Sequence, residues 1–332
     1  MKKHHLGKLE VGAVGLGCMG MSHAYGAPAS RQEMIDLTAF AVDNGVDLFD
    51  TAEVYGTREE PHHNELLMGE ALKPFRNRII LSTKFGLRFD YESKSWNLPV
   101  IADSSPEAIF KGVDGSLRRL QTDHIDIYFQ HRVDPSVDPE TVAQVMADLI
   151  REGKILHWGV SEAPEDYIRR AHAVTPLTAI QNRYSMMARW HEALFPVLEE
   201  LGIGFMAFSP LANGLLSEQY QAGCSFDKAS DYRAGMPQFR EESFLQNKSL
   251  FSLIDSLAES YKATPAQISL AWMLCKKPYI VPIPGTRKFF RLKENIGAAD
   301  IIISPEDIAA IDTALSDMPM SEVYGGTQVI KR

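Results

Sequence analysis

Residues 46–56 read V-D-L-F-D-T-A-E-V-Y-G, and this stretch decides the fold. The mostly apolar residues 46–49 predict a short strand that breaks at Asp50 and Thr51. Tyr55 follows five residues after Asp50, on the loop. In barrel enzymes, catalytic side chains lie at the ends of parallel strands and on the loops that follow. The stretch therefore predicts a strand end that presents a carboxylate and a phenol.

Three later strand ends supply further polar side chains. Lys84 follows an apolar run at residues 79–83, His131 follows residues 125–130, and Ser161 follows residues 155–160. Because the parallel strands of a barrel end on one face, we expect these side chains to share one site.

Short apolar runs alternate with helical segments along the whole chain. Strands are predicted at residues 14–16, 46–49, 79–83, 125–129, 156–160, 178–181, 203–208 and 279–283. Helices are predicted between them, at residues 31–44, 65–72, 106–120, 139–152, from 164 onward, up to 201, 249–261 and 265–274. This alternation is typical of parallel βαβ units, so the sequence predicts an α/β fold, with residues 1–332 as a single (β/α)8 TIM barrel.

Two segments do not follow the strand-helix alternation. Residues 6–10 contain a Gly-Lys turn and are predicted to form half of a hairpin that closes the bottom of the barrel. Residues 218–248 are polar and contain Gly223, Gly235 and Pro237, which predicts a long inserted loop at the active-site end. Two interpretations of this loop stay open: a lid over cofactor or substrate, and a surface insertion without a role.

Composition limits the possible functions. With 45% hydrophobic and 23% charged residues, the 332-residue chain has the composition of a globular protein. Its net charge of −9 argues against nucleic acid as a general partner. Cys18, Cys224 and Cys275 lie far apart and form no C-x-x-C motif, which favours reduced thiols and a cytoplasmic location. No run of 18 apolar residues is present, so we expect no membrane span.

Three other motifs are weak. Residues 15–20 read G-L-G-C-M-G, but the dinucleotide-binding motif of this form needs a helix immediately after it, and Gly26 and Pro28 oppose one. Lys2 and Lys3 before residues 11–21 faintly resemble a signal peptide, although Glu10 and the glycines oppose that interpretation. His62 and His63 have no third ligand at a suitable spacing, so no metal site is expected.

Asp50, Tyr55, Lys84 and His131 resemble the catalytic tetrad of the aldo-keto reductases. The words D-T-A-E-V-Y-G, S-T-K-F-G and Y-F-Q-H-R carry this resemblance, which covers nearly the whole chain. It implies that Tyr55 gives a proton to a carbonyl oxygen and that Lys84 makes the phenol a better acid. Asp50 would hold Lys84, and His131 would orient the substrate oxygen. Taken singly, each residue also has a structural interpretation, as a cap, a turn residue, a solvated strand end or a core histidine.

Later segments resemble those that hold the nicotinamide in this family. They read G-V-S-E at 159–162, Q-N-R-Y-S at 181–185 and F-S-P-L at 208–211. The resemblance implies that Phe208 stacks on the nicotinamide ring, although Phe208 also suits core packing. Glu162 replaces the asparagine that is common in the family. The nicotinamide-binding residues implied are Ser161, Glu162, Gln181, Phe208, Ser209 and Leu211.

Residues 282–295 resemble the adenosine-phosphate end of the family's cofactor site. A helix that begins near Lys288 offers its N-terminal N–H groups to an anion. Three cations in an acidic chain suit a 2′-phosphate, so NADPH is expected to be preferred over NADH, although a solvated basic helix face is the simpler interpretation. The residues implied are Gly285, Thr286, Arg287, Lys288, Arg291, Glu294 and Asn295.

Apolar loop residues after the first and third strands are candidates for the substrate pocket or for loop packing: Met19, Met21, Tyr25 and Trp96. The resemblance implies the reversible reduction of an aldehyde or ketone to an alcohol. Its alternative is a cofactor-binding regulatory or redox-sensing subunit, because some related barrels act in that way. The presence of Tyr55 favours an enzyme. The substrate and the oligomeric state are left open.

Overall fold

Eight parallel strands lie in chain order around a barrel in the computed structural model, which describes residues 1–93, 99–324 and 329–330. They are β1 Leu16–Gly17, β2 Leu48–Asp50, β3 Ile80–Phe85, β4 Ile125–Gln130, β5 Ile155–Ser161, β6 Ala179–Arg183, β7 Gly204–Phe208 and β8 Ile280–Pro282. Gly15 N donates to Pro282 O at 3.0 Å, which joins the first strand to the last. The predicted (β/α)8 barrel is confirmed.

Helices pack around this barrel. They are α1 Arg31–Asp43, α2 His63–Leu72, α3 Pro106–Leu120, α4 Pro139–Arg151, α5 Glu165–Val174, α6 Phe195–Leu201, α7 Glu241–Gln246, α8 Lys248–Tyr261, α9 Pro265–Lys276, α10 Phe289–Gly297 and α11 Pro305–Asp317. The predicted start of α3 is confirmed: Ser105 Oγ accepts from Ala108 N, and Pro106 is the first helical residue. The sequence analysis did not predict α11, although Ser304 and Pro305 repeat the same pattern.

Alternating side chains fill the inside and the outside of the barrel. Ile127 and Phe129 of β4 belong to the inner cluster, with Met206 of β7. Tyr128, between them in sequence, belongs to the larger cluster between strands and helices, with Trp158 of β5. All six residues of β4 are buried, as expected for a strand covered on both faces.

A hairpin of Lys3–Leu6 and Leu9–Gly12 closes the bottom of the barrel. His4 Nδ1 lies 2.9 Å from Ile280 O, at the start of β8. Gly7 has a positive φ of 59°, and a Cβ there would lie 2.9 Å from Thr178 O, so the turn needs glycine. The predicted hairpin is confirmed, and its position leaves the carboxyl ends of the strands open.

Residues 218–248 lie at the active-site end, as predicted, but they are not a structureless loop. They contain short 3₁₀ turns at Tyr232–Gly235 and Pro237–Phe239, then α7 and the start of α8. Tyr232 N donates to Ala24 O at 2.9 Å and Gly26 N donates to Ser230 O at 3.0 Å, so the segment is fixed to the loop after β1. Within the described ranges, no helix has the length and apolar composition needed to cross a membrane.

Candidate active site

Asp50 and Lys84 form a buried ion pair at the carboxyl ends of β2 and β3. Lys84 Nζ donates to Asp50 Oδ2 at 2.6 Å and to Thr51 O at 2.7 Å. The two side chains are only 5% and 1% exposed, so their charges are stable there because they are paired. Although burial opposes the charged form, Asp50 and Tyr55 raise the pKa of Lys84 above its usual value. Lys84 is therefore an ammonium at neutral pH.

The second carboxylate oxygen of Asp50 is also held. Ser82 Oγ donates to Asp50 Oδ1 at 2.7 Å, and Gln181 Nε2 donates to the same oxygen at 2.9 Å. Gln181 lies on β6, on the opposite side of the barrel interior. The sequence analysis assigned Gln181 to the nicotinamide, and its amide nitrogen is used here by Asp50. Its amide oxygen is the atom suited to a carboxamide N–H.

Tyr55 lies beside this ion pair. Lys84 Nζ lies 4.8 Å from the centroid of its ring, and the phenol is buried. Burial raises the pKa of Tyr55 above its usual value, and Lys84 opposes that effect without overcoming it. The phenol therefore carries its proton at neutral pH, which is the state that a proton donor needs. Lys84 does lower the pKa of Tyr55, as expected, but burial has the larger effect, so the phenol is not more acidic than a free tyrosine.

His131 follows β4 and packs edge-on against Tyr55, with ring centroids 5.6 Å apart. Burial, with smaller contributions from Arg132 and Lys84, holds the pKa of His131 well below its usual range. The imidazole is therefore neutral and has one N–H to donate. Its Nδ1 is buried without a hydrogen-bond partner in the part of the chain that the structure describes.

The sequence analysis did not single out His23, which also contacts Tyr55. Its ring stacks on Tyr55 with centroids 5.7 Å apart, and Tyr232 packs edge-on against its other side at 5.4 Å. Its Nδ1 lies 2.6 Å from Gly56 O. His23 thus lies between Tyr55 and the segment at residues 218–248, in the loop where the substrate pocket was expected.

Two glutamates share one arginine behind the Asp50–Lys84 pair. Arg119 Nε donates to Glu65 Oε2 at 2.6 Å, and Arg119 Nη2 lies 3.4 Å from Glu53 Oε1. Thr83 Oγ1 donates to Glu65 Oε1 at 2.6 Å, directly before Lys84. This network connects α2 and α3 to both strand ends. Because it depends on residues distant in sequence, no local pattern could have predicted it.

Ser161 ends β5, and Glu162 follows it directly. Ser161 is the cross-strand partner of Gln181, and its Oγ accepts from Arg132 Nη1 at 3.0 Å. Glu162 has a positive φ of 56°. Its Oε1 accepts from Arg183 N at 2.8 Å, and its Oε2 lies 3.3 Å from His191 Nε2. This carboxylate thus contacts the protein itself, and these contacts lower its pKa against the effect of burial.

The segment after β7 turns sharply over the barrel mouth. Phe208 is half-buried and is the cross-strand partner of Arg183. Ser209 has a positive φ of 50°, and its carbonyl accepts from Ala212 N at 3.0 Å. Leu211 O accepts from Gly214 N at 2.9 Å. Residues 209–212 and 211–214 therefore form two successive turns next to the end of β6.

Gly285 follows β8 where this strand meets β1. A Cβ there would lie 2.9 Å from Gly17 O, so only glycine allows the close approach. Arg287 binds the carbonyl oxygens of Gly20 and Ala27, which connects β8 to the loop after β1. Its Nη2 is buried and has no partner among the described residues. Its predicted role at the 2′-phosphate stays a prediction.

The remaining predicted residues lie at the start of α10. Thr286 Oγ1 accepts from Lys288 N at 3.1 Å, and Lys288 is exposed. Arg291 Nη1 donates to Glu294 Oε2 at 2.8 Å and is therefore partly neutralised. Asn295 is buried. The predicted cofactor residues thus follow the carboxyl edge of the barrel from β5 to α10 in order.

The candidates for the substrate pocket are separated. Met19 packs beside a small cluster that contains Tyr55 and Phe89, whereas Met21 belongs to the main core. Tyr25 Oη accepts from Asn213 Nδ2 at 2.8 Å, which joins the loops after β1 and β7. Trp96 lies outside the described residues.

Metal-binding geometry is not found in the described part of the chain, where no group of three suitable side chains comes together. His62 Nδ1 instead lies 2.7 Å from Glu53 O, and His63 Nδ1 lies 2.8 Å from Glu60 Oε2. Both histidines therefore have structural contacts.

The barrel and the four clustered side chains define a barrel oxidoreductase. The family model described as Aldo/keto reductase family matches residues 13–316. Probable aldo-keto reductase 1 of Glycine max is 39% identical over 320 residues, which cover 96% of this chain and 88% of that protein. The chain belongs to the aldo/keto reductase family, and the resemblance drawn from its sequence is confirmed.

Two solved structures show the same similarity. A glycerol dehydrogenase from Gluconobacter oxydans is 27% identical, with a TM-score of 0.85 and 95% of each chain covered. An aldo-keto reductase from Klebsiella pneumoniae, solved in complex with NADPH, is 25% identical with a TM-score of 0.71, and 94% of this chain and 95% of that one are covered.

Proposed function

We propose that this protein catalyses the reversible, NADPH-dependent reduction of an aldehyde or ketone to an alcohol. The observation that carries the proposal is the cluster of Asp50, Lys84, Tyr55 and His131 at the ends of β2, β3 and β4. A protonated phenol beside a paired ammonium can give a proton to a carbonyl oxygen, and Lys84 then stabilises the phenolate that remains. The neutral His131 can donate its N–H to the same oxygen as negative charge develops on it.

The residues along β5 to α10 fit a nicotinamide cofactor. Ser161 and Gln181 are neighbours across β5 and β6, and Phe208 lies at the end of the next strand. The amide oxygen of Gln181 would bind the carboxamide, and Phe208 would stack on the ring. When bound, NADPH supplies the hydride that reduces the carbonyl carbon. The carboxylate of Glu162 holds Arg183 N and His191, so it would shape this site rather than bind the carboxamide.

The start of α10 supports a preference for NADPH over NADH. Its N–H groups and the cations Lys288 and Arg291 favour an anion at this end of the groove. Residues at the other end would therefore hold the nicotinamide, and those at α10 the 2′-phosphate. Arg287, Gly285 and Thr286 would fix the turn between them, and Glu294 and Asn295 would face the adenine.

The proposal also includes a cytoplasmic location and small-molecule substrates. All three cysteines are unpaired thiols, which suits a reducing cytoplasm. We propose that residues 1–332 act there as one domain on small carbonyl compounds.

The test is NADPH consumption against a panel of aldehydes and ketones, with Tyr55→Phe beside the wild type. This variant should lower turnover by at least roughly 100-fold, because general acid catalysis contributes at least that much. Its NADPH dissociation constant should stay within about twofold, because the phenol serves the chemical step rather than uniform binding. Tyr91→Phe is the matched control, since Tyr91 is 60% exposed. Cofactor binding without turnover of any carbonyl would contradict the proposal.

A further inference from the structure

Arg183 is a buried cation without a carboxylate partner among the residues that the structure describes. It ends β6, and the residue is only 3% exposed. Its Nη1 donates to Asn213 Oδ1 at 3.0 Å. Its Nε is buried without a partner among the described residues. The planar group otherwise faces aromatic rings, 5.2 Å from the centroid of Phe208 and 5.8 Å from that of Tyr324.

Nearby charges do not neutralise this guanidinium. Burial and Arg132 lower the pKa of Arg183, while Glu162 raises it, and an arginine stays charged at neutral pH in either case. The Glu162 carboxylate accepts from the backbone N of Arg183 and faces His191. It makes no ion pair with the Arg183 side chain in the described chain. Two cations, Arg132 and Arg183, therefore repel one another at the barrel mouth.

Another arginine of the same barrel shows the usual arrangement. Arg119 is 17% exposed at its side chain and contacts two carboxylates, Glu65 and Glu53. Removing a guanidinium from water without such a partner is energetically unfavourable. Arg183 bears that cost in the free protein, so its position suits an anion that arrives with a ligand.

The position of Arg183 shows which ligands can reach it. Arg183 pairs across the sheet with Phe208, at the proposed nicotinamide position. Asn213, which binds its guanidinium, also donates to Tyr25 Oη at 2.8 Å. The guanidinium thus lies below the contact between the loops after β1 and β7. A ligand that binds at the proposed nicotinamide position would therefore approach the guanidinium from this side.

We propose that Arg183 binds a negatively charged oxygen group of a ligand in the barrel mouth. The guanidinium fork fits carboxylate and phosphate oxygens alike. The group is either the carboxylate of a carbonyl substrate or the diphosphate of NADPH. This inference rests on the proposed function, because it concerns the substrate class and the cofactor of that same site.

The experiment compares Arg183→Met and Arg183→Lys with the wild type. Its substrate probes are para-formylbenzoate and para-formylbenzamide, which share shape and aldehyde but differ in charge. The kcat/KM ratio of the charged to the neutral aldehyde is measured, together with the NADPH dissociation constant from fluorescence quenching. Arg151→Met is the matched control, because the side chain of Arg151 is 72% exposed on α4.

A substrate carboxylate at Arg183 predicts that Arg183→Met lowers this ratio at least roughly tenfold, with the NADPH constant within about twofold. If Arg183 instead binds the diphosphate, Arg183→Met should raise the NADPH dissociation constant roughly tenfold. The kcat/KM ratio of the two aldehydes should then stay unchanged. Arg183→Lys should restore part of either loss, because it keeps the charge and loses the fork. If both quantities stay within about twofold in folded Arg183→Met, the inference is wrong.

Two further measurements keep the inference testable. Calorimetric binding of both aldehydes to the NADP⁺ complex reads the charge preference without turnover. If the wild type reduces no carbonyl, the proposed function fails, while this binding comparison still decides on Arg183. If Arg183→Met does not fold, Arg183→Lys serves, because loss of the fork should weaken binding of the anion while the charge remains. Equal binding of both aldehydes and of NADPH to Arg183→Lys and wild type would overturn the inference.

Discussion

The two halves of the barrel mouth differ in how their charged side chains are paired. At the ends of β2 and β3, Asp50 and Lys84 are paired at 2.6 Å. Ser82 and Gln181 donate hydrogen bonds to the other carboxylate oxygen of Asp50. At β8 and α10, Lys288 is exposed, and Arg291 contacts one carboxylate at its own helix end. In the proposed function, the first half would be preorganised for chemistry before any ligand binds. The second half would keep positive charge available for an anionic ligand.

Breaking the ion pair should have the largest effect. Lys84→Met leaves Asp50 as a buried carboxylate without its cation, and loss of one partner of a buried pair costs roughly 3–5 kcal/mol. Turnover should also fall by orders of magnitude, because Tyr55 loses the charge that stabilises its phenolate. Denaturant unfolding and NADPH consumption measure the two effects.

The double variant Asp50→Asn with Lys84→Met is the control for this prediction. It removes both charges, so it should be more stable than Lys84→Met alone while turnover stays low. A single variant as stable as the wild type would show that the pair contributes little to the fold.

Arg291→Ala tests the other half, with a smaller effect. The NADPH dissociation constant should rise roughly tenfold and the NADH constant should hardly change, because only NADPH carries the 2′-phosphate. Fluorescence titration with each cofactor measures this. Lys293→Ala is the matched control, because Lys293 is exposed on the same helix and lies outside the predicted cofactor residues, so it should change neither constant. Equal weakening of both cofactors by Arg291→Ala would refute its role at the phosphate.

The positions of the residues in the first half were predicted well, because these residues lie in short sequence motifs. Strands at 46–49 and 79–83, followed by Asp50 and Lys84, were predicted from apolar runs and the first polar residues after them. The structure extends these strands through Asp50 and Phe85. The strand bounds shifted by at most two residues; β1, for example, was expected at 14–16 and lies at Leu16–Gly17. Glycines surround this strand, so its apolar pattern is short.

Long-range partners were beyond local patterns. The Gln181–Asp50 hydrogen bond joins residues 131 positions apart, and the buried Glu65 gives no sign in α2 of its contacts with Thr83 and Arg119. Arg183 lies in the motif at residues 181–185, which was singled out for Gln181. Its burial, however, depends on contacts with Phe208 and Asn213. The helix at Glu241–Gln246 was missed because its six residues are too short for a helical period.

Glu53 is the exception within the paired half. Arg119 serves two carboxylates, and the contact to Glu53 is the longer one, at 3.4 Å. Burial and the Glu65 charge raise the pKa of Glu53 to about 7, against the effects of Arg119 and Lys111. Tyr128, which also faces this cluster, is a buried phenol whose pKa is raised well above its usual value. Glu53 is therefore the group of this cluster that changes charge near neutral pH.

Stability should consequently depend on pH through Glu53. The folded protein keeps this proton up to about pH 7, whereas the unfolded chain loses it near its usual value of 4.5. The resulting stabilisation is full below about pH 4.5 and is lost as the pH rises to about 7; it amounts to at most about 3 kcal/mol. Glu53→Gln should remove this part of the pH dependence, measured by denaturant unfolding across that range. Glu59→Gln, in the same loop at an exposed position, should retain it, and equal pH dependence in both variants would contradict the assignment to Glu53.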